Sequence, residues 1–461
     1  MNTAKSTWLD LMLNGAKNRQ LLALALPMIL SNITVPLLGL VDTAVIGHLS
    51  EAYYLGGVAV GSTIITLIIW LLGFLRMATT GLVAQAYGAD DLHAQHKLLV
   101  QGAMLAVLLG AGVIALQVPI LNLALGLSEA SSEVERYCRE YFQVRIWSTP
   151  FALLNLVMLG WLLGQQQPKA AMWQLILANL ANIILDVVFV LGLGWGVKGA
   201  ALASVFADIT AFAVALTMVL QQLKREADFH LSQLLPHVTL TGYGKLLRLN
   251  TDIFIRSLCL QAAFAFMTFH GAGLGDNTVA ANAVLLNLLL LISYALDGIA
   301  YYAEAEVGRA YGQKQAEQLR EAVILAWSWS AMTALGFCAV FSLFGSNIIA
   351  LLTSINEVRA TAQTYLIWLI FMPLWSFSSY LFDGVYIGAA KGKVMRNSMI
   401  LATFGAFFPT WYLLQQLLLP EQGNHALWAA MSAFMVARSL TLAGHYYFSK
   451  DFFEVRLITS S

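Results

Sequence analysis

The sequence predicts an all-α polytopic membrane protein of twelve transmembrane helices in two pseudo-symmetric six-helix halves, and three observations predict it. Hydrophobic residues make up 59% of the chain and charged residues 11%, outside the balance of soluble domains. Apolar runs of the roughly 20 residues needed to cross a bilayer follow one another with short polar breaks. The same residue types also recur at a constant offset, as from Ala86-Tyr87-Gly88 to Ala310-Tyr311-Gly312.

Taken in order, the apolar runs place six helices near 20–46, 53–83, 97–125, 135–164, 168–193 and 197–221. Six more follow near 244–270, 277–307, 318–344, 358–388, 394–418 and 425–449. The basic residues ahead of the first run, Lys5, Lys17 and Arg19, resemble a signal peptide, but that run continues past residue 40 and further spans follow. It therefore reads as an uncleaved first helix. Residues 1–221 form one predicted lobe, 222–243 a linker and 244–461 a second lobe.

Lysine and arginine set the expected orientation, because cytoplasmic loops retain positive charge. One set of alternate loops holds Lys97, Lys169, Lys224, Arg225, Lys245, Arg248, Lys314, Lys391 and Lys393; the opposite set holds only Arg136, Arg139, Lys198 and Arg359. Both termini and the linker are expected in the cytoplasm of a bacterial cell, around a multi-pass inner-membrane body.

The offset that relates the two Ala-Tyr-Gly sequences also pairs Gly47 with Gly271, Tyr141 with Tyr365, Gly164 with Gly388 and Lys169 with Lys393. An even number of spans per half gives both halves the same topology, related by an axis along the membrane normal. A cavity between them is the expected substrate site.

A carboxylate inside a span costs about 3 kcal/mol at a helix centre, so each demands a reason. Asp42 lies roughly 33 Å along the first helix and Asp186 about 24 Å along the fifth, at 1.5 Å per residue. Asn182 is one turn from Asp186 on the same face. In a shared water-filled pocket, desolvation and repulsion would hold a proton on one acid near neutral pH, a proton-coupling device. The alternative is a pair of acids snorkelling to the outer surface. Phe266 stands at the position equivalent to Asp42, so only the first half is expected to handle protons. Pro27 and Pro36 interrupt the backbone bonding of the first helix and favour a bend there. Of the other embedded charges, Arg76, Arg145, Asp208, Arg256, Asp297, Glu304, Glu306, Asp383 and Arg438, most read as structural ion pairs, and Asp208 and Asp383 are the candidates for a functional network.

Several classes are excluded or unsupported. Zero formal net charge offers no basic face for nucleic acid. Gly194-Trp195-Gly196-Val197-Lys198-Gly199 fits a dinucleotide pattern but follows a membrane helix, not a strand. No phosphate loop or HExxH is present, and Cys138, Cys259 and Cys338 lie too far apart in sequence to suggest a metal site or disulfide framework. His93 and His96 read as solvated loop residues. No cofactor or resident metal is expected.

The stretch from Leu26-Pro27 through Val41-Asp42-Thr43-Ala44-Val45-Ile46-Gly47-His48-Leu49, together with Asn182 and Asp186 and the Gly194–Ala201 turn, resembles the multidrug and toxic compound extrusion (MATE) family in its DinF-like branch. The resemblance spans essentially the whole chain. It implies a MATE/MOP-type fold and secondary export of small amphipathic, often cationic compounds, without catalysis, by rocking of two lobes. It implies a cation site at Asp42, Asp186 and Asn182, helped by Tyr141, Asn155 and Ser204, with Pro27 as the bending proline. Leu38 departs from a tyrosine found in some members, and Arg256 replaces the acidic seventh-helix set of the sodium-coupled NorM-like branch. The expectation is thus a monomeric, proton-driven antiporter; a lipid-linked precursor flippase and a sodium-coupled exporter with Na+ near Asp42 and Asp186 are the alternatives.

Overall fold

In a bilayer every backbone N–H and C=O must be satisfied within its own segment, which drives apolar runs into helices. The computed structural model describes residues 8–46, 52–127, 131–226, 229–239, 241–417, 422–449 and 452, and leaves the side chains of 36–44, 46, 52 and 272 outside the description. A short helix α1 (Trp8–Leu13) precedes α2 (Gly15–Ile46), the first span. The second span is α3 (Ala52–Leu71) and α4 (Phe74–Gly88); the third is α5 (Leu92–Ala115), continued by α6 (Gln117–Gly126). The fourth joins α7 (Ser132–Arg145) to α8 (Thr149–Gly164) through a 3-10 turn at Ile146–Ser148. Pro150 sits in the first turn of α8, where its missing N–H costs nothing. The fifth is α9 (Pro168–Asp186), which widens into a π-helical stretch at Val187–Gly192, and the sixth is α10 (Gly196–Leu223).

After a 3-10 turn at Leu231–His237, the second half runs α11 (Gly244–Ala272), α12 (Asp276–Gly312), α13 (Ala316–Leu352) and α14 (Asn356–Gly388). Its fifth span is α15 (Gly392–Ile400), a π-helical stretch at Leu401–Phe407 and α16 (Phe408–Leu417); α17 (Gly423–Phe448) is the last. Among the described residues, 10 helical spans are long and apolar enough to cross a membrane. With α2 and the 392–417 span they make the twelve expected.

The duplication extends to backbone detail. Four loops end their helices with a non-glycine residue in the left-handed region: Asp90 (φ 55°), Gln166 (φ 59°), Lys314 (φ 58°) and Ala390 (φ 53°). Each is followed by an N–H that reaches back across the last turn, Asp91 to Ala86, Gln167 to Leu162, Gln315 to Ala310 and Lys391 to Tyr386. These are Schellman caps, and the first two recur as the last two at the sequence offset. The helix contacts repeat likewise. A Cβ on Gly160 would lie 2.5 Å from the Arg76 carbonyl oxygen, and one on Gly384 would lie 2.5 Å from that of Ala300. Small residues here let α4 meet α8, and α12 meet α14, backbone to backbone.

By contacts the chain divides into two compact units, Leu30–Leu247 and Met1–Ile29 with Arg248–Ser461. The start of α2 is thus held in the second unit. There Trp8 Nε1 donates to Ser328 Oγ at 2.9 Å, Trp329 Nε1 to Asn18 Oδ1 at 2.8 Å and Gln20 Nε2 to Glu306 at 3.3 Å, while Lys17 pairs with Glu321.

One expectation is corrected. The predicted loop at 84–96 shrinks to a three-residue cap, so His93 and His96 belong to α5. His96 is buried and bonded to Glu226 at 2.7 Å, and His93 packs edge-on against His237. His96 is therefore not a solvated loop residue, whereas His93 is exposed.

Candidate functional site

The buried face of α9 carries Ala171, Gln174, Ala178, Asn182 and Asp186, one residue per turn. Small residues let neighbouring helices approach, and the three polar ones form a stripe that ends in the acid. Polar contacts fix the helix on two sides. Gln174 Nε2 donates to Asn155 Oδ1 of α8, and Asn179 Nδ2 donates to Thr34 Oγ1 of α2 at 2.6 Å. The Asn182 Nδ2 group is buried and makes no hydrogen bond among the described residues.

Immediately after Asp186 the backbone changes from α to π. Such stretches leave a carbonyl without its usual partner and are enriched at functional positions. The chain then reverses tightly: Leu193 N–H reaches Val188 O at 2.8 Å and Trp195 N–H reaches Phe189 O at 2.9 Å. Gly194 (φ 69°) and Gly196 (φ 53°) take the left-handed conformations that this reversal needs. The glycine-rich sequence is therefore a helix hairpin. Phe189 stacks on Trp195 at 5.1 Å and closes it.

The side chains of Asp42 and Pro36 lie outside the described residues. Their helix does not: Val45, one turn beyond Asp42, packs in one apolar cluster with Tyr141, Val58, Val190, Val197 and Ala200. Val190 is one turn beyond Asp186, so the helical turns that bear the two acids enter one layer of the unit, beside Tyr141. Pro27 is buried in α2, which runs unbroken through both prolines.

Asp208 on α10 is bonded to Arg145 of α7, and Ser148 Oγ donates to it at 2.8 Å. Tyr141 lies beside the same guanidinium, and half-buried Ser204 is one turn before Asp208. Tyr141, Asn155, Ser204, Asp208, Asn182 and Asp186 thus all belong to the Leu30–Leu247 unit. Asp383 belongs to the other. It is buried between Arg256 and Arg438, the latter at 2.6 Å, joining α11, α14 and α17. Thr34, Gln174 and Asn179 were not singled out from the sequence; continuing the Asn182–Asp186 spacing back towards residue 174 signals Gln174, and nothing in the sequence signals the other two. Among the described residues no three His, Cys, Asp or Glu side chains cluster to hold a metal.

The two-half pattern has a counterpart among known proteins: the MatE family model matches residues 27–188 and again 253–413. The chain belongs to the MATE family. DNA damage-inducible protein F of Escherichia coli K12 is 46% identical over 428 residues, 93% of this chain and 92% of its own length. Multidrug resistance protein MdtK of Proteus mirabilis is 27% identical over 413 residues, 86% of this chain and 87% of its own. A solved structure of MATE in the bent conformation shares the fold with a TM-score of 0.85 at 20% identity, over 99% of this chain and 100% of the other. As a member of a transporter family this chain moves solutes across a membrane and is not an enzyme.

Proposed function

We propose that this MATE protein is a proton-coupled antiporter that exports amphipathic, often cationic, drugs and toxic compounds by alternating access. The observation that carries the reading is the buried polar stripe of α9, which ends in Asn182 and Asp186 in the layer that the Asp42 turn of α2 enters. The duplication adds support. Phe266, equivalent to Asp42, packs on Phe407, Phe408 and Trp411 of the second half's fifth span. The equivalent positions in the first half are Ile183, Ile184 and Val187, so the repeat favours Asp42 as a neighbour of the span that bears Asp186. The 46% identity to DNA damage-inducible protein F and the multidrug-resistance name of MdtK favour export of toxic compounds.

In this mechanism Asp42 and Asp186 receive protons from outside and lose them inside, with Asn182 as a neutral partner for either charge state. Tyr141, Asn155, Ser204 and Asp208 hold the surrounding network, and α2 flexes at Pro27 and Pro36 as its acid changes charge. One charge moved down about 100 mV supplies about 2.3 kcal/mol, worth roughly a 50-fold concentration ratio. The protein acts as a monomer in the bacterial inner membrane, with both termini and the 222–243 linker in the cytoplasm and the lobes at 1–221 and 244–461.

The test is dye transport in liposomes under an imposed pH gradient, with and without sodium, for wild type and Asp42→Asn. Gradient-driven transport that the substitution abolishes supports the reading. Transport that requires sodium removes the proton from it, and no transport of any amphipathic cation favours a lipid-linked precursor as cargo.

A further inference from the structure

The Leu30–Leu247 unit contains a cavity of about 820 Å³ that is separate from the α9 stripe. It lies between α5 and α10 and is closed by the segment that joins the halves. Leu99, Ala103 and Leu108 form one wall, Leu220 the other, and Leu234 and Tyr243 the end. Tyr243 is the single hydroxyl on its surface, and it reaches Met104 Sδ at 3.4 Å. Leu108 is 69% exposed and Val107 49%, so the groove opens away from the unit's core. Leu231 and Leu235 of the 3-10 turn are exposed beside it, as in segments that lie in a membrane interface.

The rim is basic. Lys97 Nζ sits 3.2 Å from where a Gly242 Cβ would be, next to Tyr243. Lys224 follows the lining residue Leu223, and Lys245 lies between Tyr243 and Leu247; both are exposed. The nearby carboxylate of Glu226 is engaged by His96, and Asp91 accepts the Ala94 N–H as the α5 cap. The volume is within the roughly 300–1,000 Å³ of small-ligand sites. With Lys97 at the end of the groove and Lys224 and Lys245 adjoining its lining residues in sequence, a cationic amphiphile would meet like charge, whereas an anionic headgroup is complementary. Basic pockets between transmembrane helices at the cytoplasmic surface bind such headgroups.

We propose that the groove holds an anionic phospholipid of the cytoplasmic leaflet, its acyl chains between α5 and α10 and its phosphate among Lys97, Lys224 and Lys245. The lipid pins the joining segment to the first half. This inference rests on the cytoplasmic placement of that segment and not on ion coupling.

Native mass spectrometry of the detergent-purified full chain, titrated with phosphatidylglycerol or with phosphatidylcholine of the same acyl chains, tests it. Each lysine at the membrane surface is worth about fivefold in affinity, so Lys97→Gln/Lys224→Gln/Lys245→Gln should weaken phosphatidylglycerol by at least about tenfold and leave phosphatidylcholine unchanged. Ala103→Trp, which fills the groove, should weaken both. Equal wild-type affinities for the two lipids, or an undiminished preference in the triple variant, overturn the proposal. Displacement of phosphatidylglycerol by tetraphenylphosphonium overturns it too, by marking the groove as a substrate port. Lipid affinity is read without transport, so a failed export reading leaves the result standing.

Discussion

The fifth spans of the two halves each contain a π-helical stretch, at Val187–Gly192 and Leu401–Phe407, but at positions that the repeat does not equate, and they differ in chemistry. The first carries Asn182 and Asp186 on its buried face and is bonded to α2 through Asn179 and Thr34. In the second the equivalent residues are Ala406 and Thr410. There Phe266 packs on Phe407, Phe408 and Trp411 with ring centroids 4.8–5.8 Å apart and stacks on His270 at 5.3 Å. One scaffold supports an acid site in one copy and an aromatic plug in the other. Duplication supplied the span, and a few residues set the chemistry of each copy.

The sharpest way to break this comparison is to exchange the copies' roles. Asp186→Asn should lower gradient-driven dye export at least about tenfold, the scale of losing an essential proton carrier, while Thr410→Ala should leave it within about twofold. Equal losses in both, measured in the same liposomes, would end the asymmetry.

The second-half acid Asp383 is held in an ion cluster. Asp383 accepts from both Arg256 and Arg438, and all three are buried. Arg438→Ala takes one partner from a buried ion cluster and should cost about 3–5 kcal/mol. Thermal unfolding in detergent would register it, with export falling only as folded protein is lost. A preserved midpoint together with lost export would move Asp383 into the transport machinery.

Phe266→Asp tests the plug. A carboxylate inside a span costs about 3 kcal/mol, so the variant should unfold at lower temperature without gaining a second proton dependence. A change in the pH profile of transport would show that the second copy needs only an acid to become active.

The smallest effect is expected in the segment between the halves. Burial first, then His93, His96 and Lys97, holds the His237 imidazole below its ordinary value of 6.5; Glu226, paired with His96, is the nearby acid. The undocked segment binds the proton more readily. The contribution of His237 to docking is therefore fully present above 6.5 and is lost as pH falls through that value towards the lowered one. Amide protection factors over residues 229–239, which are corrected for the intrinsic pH dependence of exchange, should fall on acidification, and His237→Gln should remove that fall.

Much of this was legible in the sequence, because membrane helices announce themselves by length and apolarity. The offset from Ala86-Tyr87-Gly88 to Ala310-Tyr311-Gly312 showed the repeat, although the caps that follow these turns were not read from it. The pairing of the embedded charges was not legible. That Arg145 meets Asp208, or that two arginines share Asp383, depends on helix rotation, which uniformly apolar spans do not encode. The π stretches were hidden for the same reason: widening one turn inside a run of valine, leucine and phenylalanine leaves the hydrophobic pattern unchanged. Polar contacts such as Asn179 with Thr34 lie between distant segments, and only packing reveals them.

The π stretch after Asp186 also bears on how such chains diverge. Successive residues of an α-helix are offset by about 100°, so a wide turn accommodates one extra residue without rotating what lies beyond it. Deleting a single residue between Val187 and Gly192 would tighten the turn to α and keep the span long enough to cross the membrane. Insertions and deletions at this point are therefore nearly invisible to hydropathy, and an alignment that places its gap elsewhere in the span assigns the carboxylate to the wrong face.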